Sequence, residues 1–135
     1  MINSVDFISK SDAQQMASSD KIAVISVTGP LGIPPTLNGF YRVLPLEFED
    51  TPQSTAIWAF NRTHATAIIN FVRELHDDPR GIELIVHCKA GISRSAAIAS
   101  YVAEKTNCKF PRREWAGGAN RLILQLLKDT EAGIS

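Results

Sequence analysis

Ile82-Glu83-Leu84-Ile85-Val86-His87-Cys88-Lys89-Ala90-Gly91-Ile92-Ser93-Arg94-Ser95 is the stretch on which the fold turns. Ile82 to Val86 is apolar and partly β-branched, follows Pro79 and Gly81, and predicts a buried strand. Ser95 to Lys105 predicts a helix. The segment between them therefore joins the carboxyl end of a strand to the amino end of a helix, the edge at which α/β sheets bind ligands. Backbone N–H groups at a helix start are unpaired, and the helix dipole adds partial positive charge there. An anion is the expected guest.

The residue types in this loop suit a phosphate dianion. Cys88 begins the loop, so its sulfur is expected at the floor of the cradle. The surrounding N–H groups and Arg94 favour thiolate over thiol, and settings of this kind bring a cysteine to roughly 3.5–7.5. Such a thiolate is a nucleophile already ionised at neutral pH. Arg94 offers a planar fork of donors matched to two phosphate oxygens, which a lysine lacks. Gly91 allows the backbone to turn its N–H inward at positive φ. Lys89, Ala90, Ile92 and Ser93 complete the phosphate-binding loop, with Lys89 expected as a solvated side chain. Ser95 is placed to donate to the sulfur, and His87 is expected to orient the loop rather than to act as a base.

This His-Cys-x5-Arg-Ser pattern, with glycine three residues after the cysteine, resembles the signature of the cysteine-dependent protein tyrosine phosphatase superfamily. The form His-Cys-x-Ala-Gly-x-Ser-Arg-Ser in a short chain is most similar to the compact dual-specificity branch. The resemblance implies hydrolysis of phosphomonoesters (phosphotyrosine, with phosphoserine and phosphothreonine as further substrates) through a phosphocysteine intermediate, without cofactor or metal. It also implies an aspartate on a loop some thirty or more residues before the cysteine, acting as general acid. The candidates are Glu47, Glu49 and Asp50. In an extended segment Leu44, Leu46 and Phe48 share one face, and Glu47 and Glu49 the other. Asp50 stands where this segment gives way to Thr51-Pro52, so it is the favoured acid, with Glu49 in reserve. In the same relatives an asparagine before the last helix braces the phosphate loop. Asn120 corresponds to it or simply caps that helix.

Two other readings compete. One is a phosphatase-like module that binds phospho-ligands without turnover. The other is a sulfur-transfer enzyme of the rhodanese type, which also uses a loop cysteine. Intact Cys88, Arg94 and Ser95 weigh against the first, and Arg94-Ser95 with His87 upstream against the second.

The rest of the chain frames this loop. Its 135 residues suffice for one domain, expected over 1–135. Lys and Arg number 14 and Asp and Glu 14, so composition predicts neither nucleic-acid nor membrane attraction. The expected partner is a phosphorylated protein or a small phosphoester. Two cysteines, Cys88 and Cys108, make no disulfide framework, and a soluble protein of the cytoplasm is expected. Val5 to Ile8 predicts a short edge strand, Ser11 to Ala17 a short helix, and Ile22 to Val27 a buried strand. A third strand falls between Gly39 and Phe48, with Pro45 pointing to an edge or irregular position. Ile57, Phe60, Ala67, Ile68, Phe71, Val72 and Leu75 recur at helical spacing and predict a long helix from about Ala56 to Leu75. A helical turn at Arg112 to Trp115 and a last helix over about Ala119 to Lys128 follow. Trp58 and Trp115 are expected as packing residues. The alternation predicts an α/β fold, with a central, mainly parallel sheet of about four to five strands flanked by helices.

Overall fold

The structure, a computed structural model, describes residues 1–134. Four strands, β1 (Ile2–Ser9), β2 (Ile22–Thr28), β3 (Arg42–Glu47) and β4 (Ile82–Cys88), form one sheet in the order β1-β4-β2-β3. Every neighbouring pair is parallel. The helices are α1 (Lys10–Gln15), α2 (Arg62–Asp77), α3 (Arg94–Thr106) and α4 (Arg121–Ile134), with a 3₁₀ segment at Arg113–Gly118. The α/β expectation is borne out, with four strands.

Along β4, Ile82, Leu84, Val86 and Cys88 are buried on one face, while Glu83 on the other is exposed. That buried face lies under α3, whose Ala96, Ala97, Ala99 and Ala103 are small enough to bring the helix axis close to β1 and β4. Helix α4 bridges α2 and α3. One hydrophobic cluster runs through all of these, from Val5 and Ile25 to Ile68, Leu84, Ile98 and Leu127. Leu→Ala at a site such as Leu84, with no solvent exposure, costs about 2–5 kcal/mol.

Pro45 pairs with Ser26 on β3, an edge strand, where the missing N–H faces no further strand. Helix α2 departs from expectation, beginning at Arg62 rather than near Ala56. Asn61 caps it, accepting from the N–H groups of Thr63 and His64, while His64 Nδ1 accepts from the Asn61 N–H. This reciprocal cap satisfies groups at the helix start, so the chain before it need not be helical. There Phe60 drops into the core and Ile57 stays 90% exposed. Helix α1 likewise starts one residue earlier than expected, with Ser9 as its cap. Helix α4 runs past Lys128 to Ile134.

The register lines up the strand ends that matter. Ser9 pairs with Cys88, Ser26 with His87, and Thr28 with Glu47. The loops following β2, β3 and β4 and the start of α1 therefore emerge along one edge of the sheet.

Candidate phosphate-binding site

Cys88 is the last residue of β4 and Arg94 the first of α3, so residues 89–93 form a loop closed at both ends by regular structure. Gly91 sits at φ +70, and a Cβ there would lie 2.5 Å from Ile8 C and Ser9 N. Only glycine fits, because the loop is pressed against the end of β1 and turned left-handed. The turn aims the Gly91 N–H at Cys88 Sγ, 3.3 Å away. Ser95 Oγ stands 3.1 Å from the same sulfur. Burial pushes the Cys88 thiol up, since the side chain is 1% exposed. The Ser95 hydroxyl and the backbone N–H groups of Ser95, Gly91 and Ile92 outweigh burial and hold it below its ordinary 9.0.

His87 is wholly buried and shares a 2.6 Å hydrogen bond between Nε2 and Ser26 Oγ. Burial holds its imidazole below 6.5, against the pull of the Cys88 backbone toward the protonated form. Nδ1 makes no hydrogen bond to any described group. A neutral ring with no exposure fastens the end of β4 to β2 and is closed to substrate.

Arg94 is 9% exposed, and its Nη1 donates to Phe48 O at 2.9 Å. That bond turns one corner of the guanidinium toward the segment after β3. No described group accepts from Nε or Nη2, the edge whose two parallel N–H bonds match two phosphate oxygens. Ser93 occupies the cap position of α3, yet its backbone is in the right-handed helical region and its hydroxyl does not cap. The hydroxyl donates instead to Asp50 Oδ1 at 2.9 Å.

Asp50 lies just beyond β3, and a second donor reaches the same oxygen: Asn120 Nδ2, at 2.8 Å. Asn120 Nδ2 also donates to Thr51 O at 3.0 Å, its Oδ1 accepts from the Ile123 N–H at 3.2 Å, and its own N–H donates to Ser93 O at 3.2 Å. The two readings of Asn120 are thus compatible. One 8% exposed residue caps α4 and holds Asp50 with its side chain while its backbone N–H bonds the phosphate loop at Ser93. Both donors to Asp50 fall on Oδ1, so Oδ2 is free to carry a proton.

A cavity of about 700 Å³ opens beside Arg94. Its walls include Lys10, Lys89, Glu49, Trp58 and the Thr28–Ile33 loop. One expectation changes here. Trp58 and Trp115 are 53% and 72% exposed, because the loop that carries Trp58 and the 3₁₀ segment that carries Trp115 lie outside the core, so neither is a packing residue. Lys89 is exposed, as expected of a solvated side chain, and also lines the cavity. Glu49, rather than Asp50, is the carboxylate on the cavity wall, whereas Asp50 is the one bound to the phosphate loop. Sequence reasoning missed Lys10. Its signal was positional: it directly follows Ser9, which lies beside Cys88 in the sheet. Cys108 adjoins Lys109, which bridges to Ser4, five residues down β1 from the level of Cys88. At 3.3 Å per residue that is roughly 16 Å, so the two thiols do not meet and both are free. Among the described residues, no three His, Cys, Asp or Glu side chains are grouped to hold a metal ion.

No protein-family model matches this chain, and no curated protein does. Among solved structures it is similar to the crystal structure of human tyrosine phosphatase-like serine/threonine/tyrosine-interacting protein, at 21% identity and a TM-score of 0.51. The match covers 83% of this chain and 77% of that one. At this identity the likeness is one of fold: the chain has a tyrosine phosphatase-like fold.

Proposed function

We propose that this chain is a cysteine-dependent phosphatase that hydrolyses phosphomonoesters, phosphotyrosine foremost and phosphoserine or phosphothreonine in addition. The observation that carries the reading is the setting of Cys88: a buried sulfur held below the ordinary thiol range by Ser95 and loop N–H donors, at the floor of a loop that ends in Arg94.

In the first step the Cys88 thiolate attacks phosphorus and an S–P bond forms as the bond to the leaving oxygen breaks. Asp50, protonated on Oδ2, gives its proton to that oxygen, so the alcohol or phenol departs neutral. The Nε/Nη2 edge of Arg94 and the loop N–H groups hold the equatorial oxygens, where transition-state charge spreads. In the second step Asp50 takes a proton from water, whose oxygen attacks the phosphocysteine. The S–P bond breaks, inorganic phosphate leaves, and the Ser95 hydroxyl donates to the returning thiolate.

Hydrolysis of para-nitrophenyl phosphate with EDTA present, wild type beside Cys88→Ser, tests this reading. Expected are turnover in the wild type, none in the variant, and retained phosphate-ester binding by the variant. Turnover surviving in Cys88→Ser would overturn the thiolate mechanism. No turnover by wild type with its thiol reduced would overturn the enzyme and leave a binding module or a sulfur-transfer protein.

A further inference from the structure

We propose that the cavity beside the phosphate loop selects a phosphopeptide carrying an acidic residue on one side of the phosphoresidue and an apolar residue on the other. The proposal rests on the phosphatase reading and names its substrate class.

The sheet order sets the layout. Across the edge that carries Cys88, the order β1-β4-β2-β3 places Lys10 first, then Lys89 and Arg94, then the Thr28–Ile33 loop, then Glu49 and Trp58. The first two are held together, because the Lys10 N–H donates to Lys89 O at 3.2 Å. Among the described residues no carboxylate pairs with either lysine, whereas Arg42, Lys105 and Arg112 each have a partner. The far side is apolar. Leu31 is fully exposed, Ile33 77% and Trp58 53%, and all three line the cavity. Of the seven large apolar side chains exposed among the described residues, five stand on the three loops after β2, β3 and β4. An apolar patch kept open beside a polar site marks a recognition surface.

An extended peptide crossing this edge at right angles to the strands meets a cationic flank, the phosphate loop and an apolar flank in turn. Strands are about 4.8 Å apart and an extended peptide advances about 3.4 Å per residue, so each flank lies roughly one to three residues from the phosphoresidue. Glu49 at the apolar end repels an anion there and fixes which flank takes the acid. The chemistry is that of a protein segment: a bilayer offers no acid and apolar group on opposite sides of one phosphate.

The test is kcat/KM on a set of phosphotyrosine peptides. Each has Glu or Lys on one side and Leu or Ser on the other, in both chain directions. A half-exposed ion pair and a partly covered leucine each give about a fivefold advantage. Lys10→Gln should abolish the glutamate advantage and leave para-nitrophenyl phosphate turnover unchanged. Leu31→Ser should abolish the leucine advantage alone. Equal rates across the set, or a glutamate advantage that survives Lys10→Gln, would overturn the proposal. So would phosphatidic acid in phosphatidylcholine vesicles being hydrolysed faster than every peptide. Affinities of Cys88→Ser for the same peptides, read by calorimetry, separate the two failures. If wild type turns over nothing, the phosphatase reading falls while the affinity order still decides the selection.

Discussion

Asn120 Nδ2 and Asp50 Oδ1 are 2.8 Å apart, and through this bond the start of the last helix fixes the carboxylate beside the phosphate loop. The positions are 70 residues apart in the chain. Asn120→Ala removes the donor to Asp50 and the cap on α4 together. Loss of the cap costs about 1 kcal/mol, visible as a small fall in Tm. Loss of Asp50 placement should lower kcat on phosphotyrosine with less change in KM. Asn120→Ser separates the two, restoring the cap without the amide donor. If Asn120→Ser regains full kcat, Asn120 acts on stability alone.

Asp50 and Glu49 are distinguishable by leaving group. Asp50→Asn should slow phosphotyrosine peptides by about 10²–10⁴-fold, the range of general acid catalysis. Aryl phosphates whose leaving groups need no proton should slow much less. Glu49→Gln should leave this ratio unchanged, because its carboxylate lies on the cavity wall and not on the phosphate loop. A collapse of the ratio in Glu49→Gln would exchange the two roles.

Ser95 holds the thiolate. Its hydroxyl favours the charged form of Cys88, so Ser95→Ala should raise the pH at which the thiol ionises, because burial is then opposed by the backbone N–H donors alone. In a Cys108→Ser background, which leaves one thiol, rates of iodoacetamide alkylation against pH read the midpoint. Because the folded thiol ionises below its unfolded counterpart, the stability it contributes is fully present above the unfolded range. That contribution is lost as pH falls through the folded midpoint. Ser95→Ala should shrink this increment.

Acid should loosen the fold through two histidines. Burial, the leading cause for each, holds His64 and His87 below 6.5. Both groups therefore favour the folded state above the unfolded value, and that contribution falls away as pH drops through their folded values. Tm should fall between pH 7 and pH 5. His64→Gln keeps a side chain able to accept from the Asn61 N–H and removes the titration, so its Tm should vary less with pH. Ser26→Ala, which strips the buried His87 ring of its partner, should cost about 1–3 kcal/mol at any pH.

Gly91→Ala should be worse than its size suggests. A left-handed conformation costs a non-glycine residue about 1–2 kcal/mol, and the added methyl meets the backbone at Ile8 and Ser9. Turnover should disappear and Tm fall by roughly 5 °C or more. Full activity in this variant would mean that the loop is not pinned against β1.

The strands and the phosphate loop were legible because their signals are local. Ile22–Thr28 and Ile82–Cys88 are apolar runs of strand length, and Cys88 to Ser95 reads as one chemical unit. Pro45 announced an edge strand correctly. The start of α2 was hidden, because apolar spacing continues through Ile57 and Phe60 while the true cap, Asn61, uses a histidine as its reciprocal partner. Asn120 could not be resolved from sequence, since one side chain serves helix and loop at once. The cavity was invisible for a topological reason. Lys10, Ile33 and Trp58 stand together only because β4 inserts between β1 and β2.

That insertion has a consequence for synthesis. The centre of the sheet is its last strand to be made, so β1 and β2 wait on the ribosome without a shared neighbour until residues 82–88 emerge. The donors that acidify Cys88 come later still, from the loop and the first turn of α3. A nascent or misfolded chain thus carries an ordinary, sluggish cysteine. The acidified sulfur comes into being only with the finished sheet, so once Cys108 is replaced, the share of thiol that ionises early should count correctly folded molecules.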